Sequence, residues 1–220
     1  ASVAELAPER QVVVAGHGKE QLEEALEGRA VIALQEPQHG TAHAVQQAEG
    51  ALTGFSGQVL ILYGDVPFVT AATMRAMLDR LGEADAPAVV VLGFEPDDAL
   101  QYGRIIAREG VIDKMVEYKD ASETERATRL CNSGLMAVRS ADLFALLARV
   151  GNDNAQGEYY LPDVVNIARG GGRTCAVVTC DNADEVAGIN SRAELAMAEA
   201  QWQEMRREEA MAEGASLRDP

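Results

Sequence analysis

The chain has 220 residues, 47% hydrophobic and 25% charged, a composition typical of one soluble globular domain. Its formal net charge of −16 argues against nucleic-acid binding, which needs a basic face. No apolar run is long enough to span a membrane, and the first residues lack the pattern of a signal peptide. The cysteines, Cys131, Cys175 and Cys180, lack zinc-site spacing and are interpreted as reduced, buried thiols of a cytoplasmic protein.

Strand and helix patterns alternate through the first part of the chain. Continuous apolar runs predict strands at 11–15, 30–34, 59–62 and 88–92. Apolar residues at helical spacing predict helices at 19–26, 41–51 and 70–81. Four successive strands, the first three each followed by a helix, predict an α/β fold with a doubly wound, mainly parallel, Rossmann-like sheet.

The pattern changes after Phe94. Two short runs, 102–107 and 111–118, flank the turn Arg108-Glu109-Gly110, and they predict a hairpin that adds antiparallel strands beside the main sheet. A strand is expected at 132–138, a helix capped by Ser140 and running to 147, a helix at 161–168 and a strand at 175–180. Ser191, with Glu194 three residues later, predicts a capping box that opens a long terminal helix.

The run at 59–62, interpreted as a central strand that is buried on both faces of the sheet, is followed directly by Tyr63, Gly64 and Asp65. A carboxylate just past the carboxyl end of a strand lies where open α/β sheets bind their ligands. The alternative is that Asp65 caps a turn before the next helix. Both interpretations are open from this stretch alone.

The loop 35–43 follows a predicted strand and leads into a helix start, where backbone N–H groups attract anions. Gly40 allows a ligand to approach closely, and the amide of Gln35 offers a base both a donor and an acceptor. A plain helix cap with Thr41 in the first turn is the alternative. His39 and His43 are four residues apart, but Gly40 lies between them, so we expect His43 to form hydrogen bonds rather than bind metal.

Other polar residues interrupt the apolar pattern at strand ends. Gly103, Glu117 and Asn132 supply a glycine, a carboxylate and an amide, which suit a neutral sugar because its hydroxyls both donate and accept hydrogen bonds. A solvated strand edge is the alternative for Glu117. Asn190 lies just before the terminal helix and is open to interpretation as a turn residue.

These stretches together resemble the sugar-nucleotidyltransferase family. They resemble in particular the uridylyltransferase domains of bacterial bifunctional N-acetylglucosamine-1-phosphate uridylyltransferase/glucosamine-1-phosphate N-acetyltransferases. The matching segments follow one order and cover nearly the whole chain: QEPQHGTAHA, LYGDVP, QYGRI, VEYKDA, NSG, NAQGEYYLPD, EVAGINSR and LRDP.

The resemblance assigns roles to individual positions. It implies that Asp65 and Asn190 hold a Mg²⁺ ion and that Asp65 is the catalytic residue. It implies that the residues contacting UTP are Gln35, Gly40, Thr41, Tyr63 and Gly64. Those expected to bind N-acetylglucosamine 1-phosphate are Gly103, Glu117, Asn132 and Tyr160. Lys119 lies in the same charged segment, and at Pro162 the family more often has a threonine near the sugar phosphate.

The implied activity is Mg²⁺-dependent transfer of a uridylyl group, forming UDP-N-acetylglucosamine and pyrophosphate for cell-envelope precursors. We expect residues 1–206 to form the catalytic domain without its first strand and glycine-rich phosphate loop, so this stretch alone should be inactive. Residues 207–220 should begin an arm towards an acetyltransferase domain through which the family forms homotrimers. The alternatives are a nucleotidyltransferase with another sugar phosphate or base, and a non-catalytic domain that binds sugar nucleotides.

Overall fold

A computed structural model describes residues 2–99 and 101–218 of the chain. The strands found there are β1 (Val12–Ala15), β2 (Val31–Leu34), β3 (Gln58–Ile61), β4 (Val89–Phe94), β5 (Arg104–Arg108), β6 (Val111–Val116), β7 (Cys131–Arg139) and β8 (Cys175–Cys180). The helices are α1 (Lys19–Leu26), α2 (Thr41–Gln46), α3 (Ala71–Gly82), α4 (Glu123–Arg126), α5 (Ser140–Leu147), α6 (Asp163–Gly170) and α7 (Arg192–Ala212). Asp219 and Pro220, the end of the matching segment LRDP, lie outside the described residues.

The strands form two sheets. Strands β1 and β2 pair in parallel by themselves, and the other six follow the order β3-β7-β4-β8-β6-β5. Strands β4 and β8 are parallel, but β7 runs antiparallel between β3 and β4, and β6 is antiparallel to β8. The predicted α/β class is confirmed, and so is the hairpin β5–β6. The large sheet is mixed, however, and the run predicted as a central strand is β3, at the sheet's edge among the described residues.

Helices cover both faces of the large sheet because its strands are apolar on both sides. In β4, Val89 and Val91 face a core shared with α5 and α6, whereas Val90 and Leu92 face a core shared with α3. All four valine and leucine side chains are fully buried. This alternation along a strand buried on both sides produces the layered arrangement that leaves the strand ends open for a site.

The helix starts agree only partly with the sequence prediction. Thr70 caps α3, since its hydroxyl accepts a hydrogen bond from Thr73 N at 3.1 Å. The predicted cap at Ser140 is wrong. Ser140 is the first residue of α5, and its hydroxyl accepts from Gly57 N and donates to Phe55 O, both at 3.1 Å. The Ser140 side chain instead binds the segment before β3. Spacing along the chain does not reveal a contact between residues so far apart in the sequence.

The long terminal helix α7 does not resemble a membrane span. Within the described ranges, no helix combines the length and the apolar character that crossing a membrane requires. The three cysteines are free and buried, as predicted. Burial raises the pKa of Cys175 to about 11, so this thiol stays protonated at neutral pH.

The small sheet is joined to the large one through the loop that precedes α2. Tyr159 N donates to His39 O, and Ala42 N donates to Tyr159 O, both at 2.9 Å. Between these bonds lies Gly40, with φ of 110°. A β-carbon at Gly40 would lie 2.7 Å from Tyr159 O, so the two backbones can approach this closely only at glycine.

We expect Gly40→Ala to destabilise the protein much more than Gly54→Ala. Both glycines have positive φ, but a β-carbon at Gly54 would meet nothing within 4 Å. Backbone strain alone should cost about 1–2 kcal/mol at Gly54, and strain plus the backbone clash about 3 kcal/mol or more at Gly40. Urea unfolding followed by circular dichroism measures both. Equal losses of stability would contradict the proposed role of the close contact with Tyr159.

Candidate functional site

The predicted metal pair is brought together beyond the end of β3. Ile189 N donates to Asp65 O at 2.9 Å, which joins the turn after β3 to the segment before α7. A β-carbon built on Gly188 would lie 3.8 Å from Asp65 Oδ2 and 3.5 Å from Asn190 Nδ2. The two polar side chains therefore flank the same glycine, although their residues are far apart in the sequence.

The start of α7 holds Asn190 in place. Ser191 Oγ accepts from Glu194 N at 3.2 Å, as predicted, but Glu194 Oε2 accepts from Asn190 N at 2.6 Å instead of completing the capping box. Asn190 Nδ2 donates to Gly188 O at 3.4 Å. The amide oxygen of Asn190 is thus left as the atom that could face an ion.

The donor set fits a hard divalent cation. Asp65 and Asn190 offer a carboxylate and an amide oxygen, which are ligands of the type that Mg²⁺ prefers. Over residues 2–99 and 101–218, no cluster of three His, Cys, Asp or Glu side chains could hold a metal by itself. An ion at this pair would therefore complete its coordination with water and with oxygen atoms of a bound substrate.

The predicted base-binding loop is ordered around Gln35, whose side chain is only 7% exposed. Gln35 Nε2 donates to Gly40 O at 2.9 Å and lies 3.0 Å from His43 Nδ1. The helix that follows is shorter than predicted, since α2 ends at Gln46. A helix this short carries little dipole, so recognition by this loop depends on its side chains and backbone shape.

Tyr63 lies between this loop and the rest of the site. Thr41 Oγ1 accepts from Leu161 N at 2.9 Å, and the Thr41 hydroxyl lies near enough to that of Tyr63 to lower its pKa. Burial raises the pKa of Tyr63 to about 12, and the negative charges of Glu117 and Asp65 add to this effect. Tyr63 is therefore neutral at physiological pH and close to both carboxylates.

The predicted sugar-binding residues at the ends of three strands, β5, β6 and β7, also meet. Asn132 N donates to Gly103 O at 2.9 Å, and a β-carbon at Gly103 would lie 3.2 Å from Glu117 Oε1. Asn132 Oδ1 accepts from Gly134 N at 2.9 Å, so the side chain has its NH₂ group left to offer. A β-carbon at Gly134 would lie 2.5 Å from the Tyr63 ring, which places Tyr63 directly against this cluster.

The surroundings of the predicted sugar-binding residues are acidic. Burial raises the pKa of Glu117, and the negative charges of Asp163 and Asp120 raise it further. Lys119 Nζ donates to Gln156 Oε1 at 2.7 Å, and Gln156 Nε2 donates to the hydroxyl of Tyr160 at 2.9 Å. The side chains that line a cavity of about 180 Å³ are Gln101, Glu117, Tyr118, Lys119 and Gln156.

Contacts made by these residues and their neighbours thus link the predicted site residues to one another. Pro162 directly precedes α6 and has no hydroxyl to offer at that position. His43 forms a hydrogen bond rather than part of a metal site, as expected, and its partner is Gln35. Two contributors were not predicted in these roles, Glu194 and Asp163. Glu194 had a signal, the capping-box spacing, whereas Asp163 acts through contacts between distant segments.

Comparison with known proteins identifies the family. Residues 1–159 match the model of the MobA-like NTP transferase domain. The chain is 76% identical over 220 residues to a protein named bifunctional protein GlmU from Novosphingobium aromaticivorans. That match covers 100% of this chain but 49% of the relative, so the chain spans about half the length of the curated relatives it matches.

Solved structures share the fold at low sequence identity. A UDP-glucose pyrophosphorylase complexed with UDP-glucose superposes with a TM-score of 0.64 at 17% identity, covering 90% of this chain and 84% of that one. The inositol-1-phosphate CTP transferase from T. maritima superposes with a TM-score of 0.61 at 15% identity, covering 90% and 79%. The chain belongs to the MobA-like NTP transferase family, and the resemblance to the nucleotidyltransferase part of a bifunctional bacterial enzyme that its motifs predicted is confirmed.

Proposed function

We propose that the protein containing this chain transfers a uridylyl group from UTP to N-acetylglucosamine 1-phosphate with the help of Mg²⁺. The observation that carries this proposal is the meeting of Asp65 and Asn190 around Gly188. The products are UDP-N-acetylglucosamine and pyrophosphate, used in the cytoplasm to make precursors of peptidoglycan and lipopolysaccharide. The family membership and the similarity to GlmU proteins support the reaction class.

The two sides of the site are suited to the two substrates. Gln35, Gly40 and Thr41 face the base of UTP, with Tyr63 and Gly64 beside the nucleotide. On the other side, the carboxylate of Glu117 accepts from sugar hydroxyls, and the NH₂ group of Asn132 donates to them, since its oxygen is already occupied by Gly134 N. Gly103 leaves the face of the carboxylate open, and the hydroxyl of Tyr160 borders the same pocket.

The chemistry is an in-line displacement at phosphorus. An oxygen of the sugar phosphate forms a bond to the α-phosphorus of UTP, and the bond to the pyrophosphate leaving group breaks. The attacking oxygen is already anionic, so no side chain has to act as a general base. Bound Mg²⁺ supplies positive charge that offsets the phosphates. Asp65 and Asn190 would hold it, and the remaining residues position the substrates.

The proposal extends to the domain organisation of the full-length protein. We propose that residues 1–206 belong to the catalytic domain and that 207–220 begin an arm to a further domain, with a homotrimer in the full-length protein. The boundary at 206 lies inside α7, which continues to Ala212. The arm would therefore begin as an extension of the same helix.

Asp65→Ala in the full-length protein should abolish Mg²⁺-dependent formation of UDP-N-acetylglucosamine, lowering turnover by about a hundredfold or more because the anionic ligand is lost. Asp79→Ala is the matched control, since Asp79 is an exposed carboxylate on α3. Release of pyrophosphate measures both variants. Turnover at the wild-type rate in Asp65→Ala would disprove the metal assignment.

The pH dependence tests Glu117. Its carboxylate must be ionised to accept from sugar hydroxyls, and its pKa is raised, so kcat/KM for the sugar phosphate should fall as pH drops through this raised value and be fully present above it. Asp163→Asn removes a neighbouring negative charge and should move this acid limb to lower pH. Asp79→Asn should leave the limb in place. An acid limb unchanged by Asp163→Asn would rule out Glu117 as its origin.

A further inference from the structure

The amide of Gln35 is held between two hydrogen-bond acceptors. One is the carbonyl oxygen of Gly40, 2.9 Å from Nε2, and the other is Nδ1 of His43, 3.0 Å from the same nitrogen. Gln35 and Arg104 are the two polar or charged residues that are buried among the described residues. The N–H donors of such a buried amide have to find acceptors within the protein.

These two contacts fix the orientation of the amide. A backbone carbonyl can only accept, so the Gln35 atom beside Gly40 O has to be the NH₂ group. The second N–H of that group points to His43 Nδ1, which is therefore the unprotonated ring nitrogen, with the ring proton on Nε2. A flipped amide would place the Gln35 oxygen against Gly40 O and lose that bond, and it would keep a bond to His43 only if the ring proton moved from Nε2 to Nδ1.

The oxygen of Gln35 is then the atom available to a ligand. No donor within residues 2–99 and 101–218 forms a hydrogen bond to it, whereas both N–H bonds are used. An acceptor that no protein donor occupies can receive the N3–H of uracil or thymine. Cytosine has a lone pair at N3 instead of a hydrogen, so it would meet this oxygen with repulsion.

We propose that His43 is the positioning residue that fixes the amide of Gln35 and thereby makes the site select a pyrimidine with an N3–H over cytosine. This inference rests on the proposed function, and it assigns base selectivity to a side chain that need not touch the base. Solved structures with the same fold include the inositol-1-phosphate CTP transferase from T. maritima, so the fold alone does not choose the base.

The position of His43 is itself restrained. Gln47 Nε2 donates to His43 O at 3.0 Å. The imidazole ring lies beside Tyr159, with 6.5 Å between ring centroids, and beside His39, with 5.2 Å. Tyr159 also forms the backbone hydrogen bonds that hold the predicted base-binding loop, residues 35–43. The position of His43 Nδ1, the acceptor for Gln35, is therefore fixed.

The test compares UTP with CTP as substrates of the full-length protein. His43→Leu replaces the ring acceptor with an apolar side chain, and the ratio of kcat/KM for UTP to kcat/KM for CTP should fall about tenfold, because the flipped amide then opposes Gly40 O alone. His43→Asn places an acceptor oxygen near the position of Nδ1 and should restore most of the ratio. His39→Leu removes the neighbouring imidazole, which does not bond to Gln35, and should leave the ratio unchanged.

A double variant separates this role from a structural one. In a Gln35→Ala background, His43→Leu should cause no further change in the ratio, since the amide it orients is absent. An undiminished ratio in His43→Leu, or the same fall with and without Gln35, would overturn the inference.

Binding of UDP and CDP, measured by calorimetry, distinguishes this inference from the proposed function. Preference for UDP that is lost in His43→Leu, in a protein that transfers no uridylyl group, would support the inference and disprove the function. Binding of UDP and CDP with equal affinity by the wild type would overturn the inference, whatever the protein's activity.

Discussion

The arrangement of the site depends on the backbone hydrogen bonds between the base loop and Tyr159. The small sheet β1–β2 forms no strand pairing with the large sheet within the described residues. The base loop follows the small sheet, whereas Asp65, Glu117 and Asn132 follow or lie on strands of the large one. The two bonds of Tyr159, together with the bond from Leu161 N to Thr41, therefore set the distance between the two halves.

A second constraint is charge. Glu117 and Asp163 both have raised pKa values, because burial and neighbouring carboxylates disfavour their ionised forms. Lys119 is already engaged by Gln156. A phosphate entering this field would be repelled unless positive charge accompanied it. The acidity of the site would therefore favour the proposed Mg²⁺ ion, whose positive charge would offset the phosphates.

Much of the fold was predictable from the sequence, for specific physical reasons, and sequence motifs indicated the candidate site. Apolar runs and turn residues are local signals, so β8 and the β5–β6 hairpin were predicted well. The position of β3 at the sheet edge was not predicted, since an apolar run does not identify its neighbours. The residues of the site came from motifs, whereas the direction of the Gln35 amide and the second bond of Glu194 depend on contacts that no local pattern encodes.

Glycines account for how closely the parts of the site approach one another. Gly40, Gly103 and Gly134 each lie where a β-carbon would come within 3.2 Å of another segment. The segments they meet are the backbone at Tyr159, the carboxylate of Glu117 and the ring of Tyr63. Tyr63, neutral because it is buried, thus has glycine at one of its faces and the Thr41 hydroxyl at its end. The polar groups of the two halves can then face a common space, because backbone rather than side chain fills the gaps between them.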